Sequence, residues 1–104
     1  MMVAKDQLVI SSDALLLYFS HEGCNVCKVL RPKIEHLLIN DYPKLQFKYI
    51  NTVHEAELSA QFQVFTVPTV LVYFEGKEYF RFSRNIGLSQ LEDAIKRPYQ
   101  LLFE

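Results

Sequence analysis

The seven residues from Ala14 to Ser20 read Ala-Leu-Leu-Leu-Tyr-Phe-Ser, an unbroken apolar run set behind the turn-forming Ser11-Ser12-Asp13. A run this short, without alternation and bounded by a turn, suits a strand buried on both faces of a sheet. Helices must then cover both faces, which points to a layered α/β architecture. The size agrees. A chain of 104 residues, 50% hydrophobic and 22% charged, has the makings of one globular domain spanning residues 1–104, and by surface scaling it buries roughly two-thirds of its unfolded surface. Such a core needs no metal or disulfide staples, so the two cysteines are more than stability requires.

The rest of the chain supplies the layers. Val3 to Ile10 suits a short strand or an ill-formed helix equally well. From Asn25, the residues Val26, Leu30, Ile34, Leu37 and Leu38 recur at helical spacing until Asn40-Asp41-Tyr42-Pro43 breaks the pattern, with Pro32 inside it predicting a kink. Leu45, Phe47 and Tyr49 then alternate with Gln46 and Lys48, predicting a strand that ends near Asn51. A short helix over Glu55 to Phe62 follows. Thr69 to Phe74 and Glu78 to Phe82, joined through Glu75-Gly76-Lys77, read as a hairpin. Ser89-x-x-Glu92 reads as a capping box for a last helix with Leu91, Ala94 and Ile95 on its apolar stripe, bent or ended by Pro98. Beyond it, Tyr99, Leu101, Leu102 and Phe103 either finish the core, the preferred reading, or expose an apolar patch to a partner.

Charge and hydropathy exclude several functions. Eleven basic residues against twelve acidic give a net charge of −1, too balanced for a surface that tracks nucleic acid or an anionic membrane. The apolar runs fall far short of the roughly 20 residues of a membrane span. Met1 to Asp6 carry no signal-peptide pattern, so a reducing cytoplasm is the expected compartment. The chain is expected to be a monomer.

Cys24-Asn25-Val26-Cys27 lies where the central strand gives way to the long helix. Unpaired backbone N–H groups and the positive end of the helix dipole at that place favour thiolate over thiol, making Cys24 the attacking nucleophile. Cys27, three residues on, shares its helical face and is placed to resolve a mixed disulfide by intramolecular attack. A purely structural role is weak, because a four-residue loop stabilises by only about 2 kcal/mol. His21-x-x-Cys24-x-x-Cys27, completed by His36 or His54, has metal-ligand types, but no second C-x-x-C follows, and no metal is expected. Thr66-Val67-Pro68-Thr69 places a proline at the very start of an apolar strand. If Pro68 is cis, Val67 is free to pair with an extended substrate.

Together these residues resemble the thioredoxin family: a strand, C-x-x-C opening a helix, Pro32 eight residues after the first cysteine, a hydrophobic-Pro-Thr before a hairpin, and Phe74-Glu75-Gly76-Lys77 at its turn. The resemblance covers roughly Ala14 to Ile95. It implies a three-layer sandwich in which a mixed central sheet of four or five strands is flanked by helices, with right-handed crossovers in its parallel half. Cys24 would be exposed, Cys27 largely buried, and a cis Pro68 would lie beside the sulfurs. Only 13 residues precede the central strand, so the amino-terminal element would be shortened or missing.

The sequence also departs from that family. The usual Trp-Cys-Gly-Pro-Cys is here Gly23-Cys24-Asn25-Val26-Cys27, without the aromatic shield. The buried Asp and Lys typical of thioredoxins fall, counting without gaps, on Tyr18 and Tyr49. Tyrosine is a poor base at neutral pH, so deprotonation of Cys27 is expected to rely on His21, Glu22 or solvent, and turnover to be slower than in a standard thioredoxin. The bland reading makes both tyrosines ordinary core aromatics.

The expected function is reduction of protein disulfides by Cys24 and Cys27, with Gly23, Thr66, Val67 and Pro68 holding the substrate and His21, Glu22, Tyr18 and Tyr49 tuning the pair. No bound cofactor is needed. Resemblance implies electrons from a thioredoxin-reductase-type donor carrying flavin and NADPH, and a glutathione-dependent mode stays open. The rival reading is a binding module whose apolar surface around Gly23, Phe65 and Val67 holds a partner while the cysteines are silent.

Overall fold

The computed structural model describes residues 5–104, and its elements run α1 (Lys5–Val9), β1 (Ala14–Ser20), α2 (Asn25–Asp41), β2 (Gln46–Asn51), α3 (Ala56–Gln61), β3 (Thr69–Phe74), β4 (Lys77–Ser83) and α4 (Leu88–Phe103). The four strands form one sheet in the order β2-β1-β3-β4, with β1 parallel to β2 and the other pairs antiparallel.

The apolar run is the central strand, and every one of its residues is buried because successive side chains enter two different cores. Leu16 and Tyr18 join Val70 and Val72 of β3 beneath Cys27, Leu30, Ile34 and Leu38 of α2 and Leu91, Ile95 and Tyr99 of α4. Leu15, Leu17 and Phe19 join Leu71 and Tyr73 on the opposite face, under Leu8 and Val9 of α1, Leu58 of α3 and Phe62 at its C-cap. Helix, sheet, helix is thus the three-layer arrangement expected. The second core is rich in aromatic edges, with Phe62 packed T-shaped against both Phe19 and Tyr73, a geometry that the ring quadrupole favours.

The ambiguous amino-terminal segment is a short helix over Lys5–Val9 rather than a strand, with Leu8 and Val9 buried; Val3 lies outside the described residues. For Pro98 one of two alternatives falls, and one expectation about α4 needs correction. Its N-cap is Gly87, not Ser89, and Glu92 accepts a hydrogen bond from the Tyr42 hydroxyl at 3.3 Å instead of closing a capping box. Starting the helix at Leu88 brings Leu88, Leu91 and Ile95 onto one stripe against the core, a burial gain larger than one capping bond supplies. Pro98 does not end α4, which continues to Phe103. Tyr99, Leu102 and Phe103 complete the core, while Leu101 points outward.

The hairpin turn consists of Glu75 and Gly76, both at positive φ (53° and 80°), between the paired Phe74 and Lys77. Two successive positive φ angles give the type I′ geometry, whose twist matches that of the flanking strands. On β4, Arg81 donates to both Glu78 carboxylate oxygens and to the carbonyls of Phe62 and Gln63. The edge strand is thereby tied to the end of α3.

Candidate active site

β1 and β2 both end at the same edge of the sheet, and the chain leaves Ser20 through a tight turn. The Gly23 N–H donates to His21 Nδ1 at 3.1 Å and the Cys24 N–H to the His21 carbonyl at 3.1 Å. These bonds set Cys24, in extended conformation, as the N-cap of the 17-residue α2. Its Sγ accepts the Cys27 N–H at 3.2 Å, so the first turn of the helix directs a backbone donor and its dipole at that sulfur and stabilises negative charge there. Cys24 and Cys27 form a disulfide across 5.3 Å between Cα atoms. Cys24 is half-buried rather than fully exposed, whereas Cys27 is 1% exposed. Any incoming reagent therefore meets Cys24 first.

The Val67–Pro68 peptide bond is cis. Pro68 is buried, its carbonyl accepts the Arg84 N–H at 2.8 Å, and the Thr69 hydroxyl donates to the Thr66 carbonyl at 2.7 Å. These bonds anchor the loop on both sides of Val67. Among the described residues no hydrogen bond engages the N–H or C=O of Val67 itself. Val67 packs with Cys24 on the same core. Beside it lies a cavity of about 300 Å³ lined by His21, Ala56, Phe65, Thr66 and Val67.

With the disulfide at the start of a helix and the anchored proline loop next to it in a four-stranded α/β sandwich, comparison with known proteins gives one answer. Residues 3–97 match the thioredoxin family. The chain belongs to the thioredoxin family. It is 35% identical over 85 residues to the thioredoxin-like protein YdfQ of Bacillus subtilis, a match covering 82% of this chain and 75% of that protein. It is 28% identical over 91 residues to a probable thioredoxin-2 of Caenorhabditis elegans, covering 88% of this chain but only 63% of that one. The solved thioredoxin 1 of Thermosipho africanus superposes with a TM-score of 0.78 at 31% identity, covering 86% of this chain and 99% of its own.

Within this thioredoxin fold the two tyrosines take separate parts. They are register partners on β1 and β2, yet they do not bond to each other. Tyr18, fully buried, donates its hydroxyl to the Cys27 carbonyl at 2.7 Å. Burial pushes its pKa up to about 12, with Tyr49 adding to the shift and the Arg31 charge opposing it. At physiological pH it is therefore a fixed donor rather than a base. Tyr49 lies under the Arg31 guanidinium, 4.2 Å from its ring centre, a cation–π contact that holds the second turn of α2 against β2. The Tyr18 bond braces the helix on which both cysteines ride. Tyr18→Phe is expected to lower stability by about 1 kcal/mol, or roughly 4–8 °C in Tm, while changing turnover less than threefold; thermal melts and initial rates on the same preparation check this.

The expected tuning residues His21 and Glu22 lie in the turn ahead of the disulfide. Neither His21 nor Glu22 hydrogen-bonds a cysteine sulfur; the His21 ring orders the turn through Gly23, and Glu22 is exposed. His36 sits far along α2 and pairs with Asn40, and among the described residues no group of three metal-ligating side chains comes together. Sequence reasoning missed the loop from Arg84 to Gly87. Its nearest signal was the Asn85-Ile86-Gly87 stretch between the hairpin and the last helix, but only the bond from Arg84 to Pro68 places it at the site. Asn51 was missed as well: its side chain caps the turn after β2 by accepting from the Val53 and His54 N–H groups.

Proposed function

We propose that the protein is a thiol–disulfide oxidoreductase that reduces protein disulfides. The observation that carries this reading is the half-buried Cys24 sulfur at a helix N-terminus, bonded to a buried Cys27, with Val67, whose backbone is unengaged, packed against the same core. In the reduced protein the Cys24 thiolate attacks one sulfur of a substrate disulfide, forming a Cys24–substrate disulfide and releasing the other substrate sulfur as a thiolate. Cys27, deprotonated by that departing thiolate or by water, then attacks Cys24 Sγ. The Cys24–Cys27 disulfide closes, the second substrate sulfur leaves, and two electrons have passed from the dithiol to the substrate. Substrate is held in extended form along Val67, with Thr66, Pro68 and Gly23 forming its bed. Family membership supports a flavin- and NADPH-carrying reductase as the electron donor, and a reducing compartment such as the cytoplasm suits the cycle.

The test uses Cys27→Ser. Incubated with oxidised protein substrates, it is expected to accumulate mixed disulfides through Cys24, visible as reductant-sensitive mass adducts, because the resolving attack is gone. Absence of adducts, with the same partners retained by the Cys24→Ser, Cys27→Ser double variant, overturns the reductase reading. It leaves instead a binding module organised on Phe65, which is 82% exposed at the rim of the Val67 cavity.

A further inference from the structure

A groove of about 650 Å³ runs between the first turns of α2 and the β4–α4 loop, with Val26, Val29, Lys33, Arg84 and Ile86 among its lining. Val26 and Val29 are 63% and 60% exposed, an unusual concentration of β-branched apolar surface within two turns of the nucleophile. Arg84 adopts a left-handed backbone (φ 65°), which a side chain other than glycine holds only when its surroundings impose it. The imposing contacts are visible: its N–H is bonded to the Pro68 carbonyl at 2.8 Å, and its carbonyl accepts the Ile86 N–H at 3.0 Å. The exposed guanidinium is therefore carried on backbone locked to the residue that follows Val67.

Among the described residues neither Lys33 nor Arg84 has a carboxylate partner; the ion pairs present are Arg31–Glu35 and Arg81–Glu78. Among the described residues no acidic one lines the groove. In a chain whose overall charge is −1, this leaves two uncompensated positive charges beside an apolar floor that begins at Val26, between the two cysteines. The geometry points to a substrate-selecting groove: the protein acts preferentially on disulfides whose flanking segment carries acidic side chains next to an apolar one, the apolar residue resting on Val26 and Val29 and the carboxylates facing Lys33 and Arg84. This inference rests on the reductase reading and adds the class of substrate to it. Charge complementarity of this kind acts on encounter and register, so its expression is a salt-dependent preference.

The experiment compares three synthetic disulfide peptides that share one apolar residue and differ only in two flanking positions, filled with Glu, Ser or Lys. At low ionic strength kcat/KM for the Glu peptide is expected to exceed that for the Lys peptide by about 10-fold, as two weakly screened surface charge pairs allow, and the ratio is expected to shrink toward one at high salt. Lys33→Gln with Arg84→Gly is expected to bring the ratio below about 2; glycine suits the positive φ of position 84, so the backbone bonds there survive. A parallel measurement follows backbone amide shifts of Lys33 and Arg84 in the oxidised protein as cysteine-free versions of the peptides are added, which requires no turnover. Equal rates and equal shifts for Glu and Lys peptides overturn the groove, as does a preference that the double variant leaves intact. If no peptide is reduced while the Glu version alone moves those amides, the groove stands and the reductase reading falls.

Discussion

Replacing Cys24 by Ser is expected to lower disulfide reduction by about 10³-fold or more, because the loss removes the attacking atom itself. The second sulfur offers no substitute. Cys27 is 1% exposed and its carbonyl is held inward by Tyr18, so a substrate disulfide has no path to it that leaves α2 in place. The structure also predicts how the two thiols of the reduced wild type differ. Cys24 Sγ lies at the helix N-cap within 3.2 Å of the Cys27 N–H, and a small alkylating agent is expected to modify it about 100-fold faster than Cys27. Steady-state rates in a dithiol-regenerated assay, with mass spectrometry of the alkylated protein, measure both. Activity within tenfold of wild type in Cys24→Ser, or equal alkylation of both thiols, removes Cys24 from the role of nucleophile.

The layers, the central strand and the place of the cysteine pair were legible in the sequence because each rests on a local pattern with one physical solution. An unbroken apolar run such as Ala14–Ser20 has no exposed face to offer, and a C-x-x-C pair at a helix start is brought together by the helix itself. What resisted reading depended on distant partners. Ser89-x-x-Glu92 satisfies the local rule for a helix start, but packing of Leu88 against the core moved the cap two residues earlier, to Gly87, and Glu92 found Tyr42 instead. Tyr18 and Tyr49 were recognisable as replacements for a charged pair, yet their separate partners, the Cys27 carbonyl and Arg31, follow from how α2 crosses the sheet. The position of Arg84 at the site depends on a bond to Pro68 across 16 residues of chain, and no periodicity announces such a contact.

Alkaline unfolding between pH 10 and pH 12 is the second large effect expected. Tyr18, Tyr42 and Tyr73 are all buried, and in each the pKa rises from 10 to about 12, chiefly because burial disfavours the phenolate. The Glu92 carboxylate adds to the shift at Tyr42, and Glu78 adds to it at Tyr73 against the opposing charge of Arg81. A folded-state pKa raised above the unfolded value means that the folded chain keeps its protons where the unfolded chain has lost them. The stabilisation is thus whole below pH 10 and disappears progressively as pH rises to 12. At about 1.4 kcal/mol per pKa unit, reduced for screening by solvent and neighbouring charges, each tyrosine accounts for roughly 1–2 kcal/mol, and the three together for a large share of the stability of a small domain. Tyrosinate absorbance and far-ultraviolet circular dichroism followed on one sample should therefore change together in this window. Tyr18→Phe sharpens the test: having lost its bond to Cys27, the variant is less stable at pH 7, but with one fewer buried phenol to ionise it loses less on going to pH 12, so the two stability curves converge and then cross. Titration of all six tyrosines near pH 10 with the dichroism unchanged would mean that these hydroxyls reach water freely, and that the Tyr18 brace under the disulfide does not exist in solution.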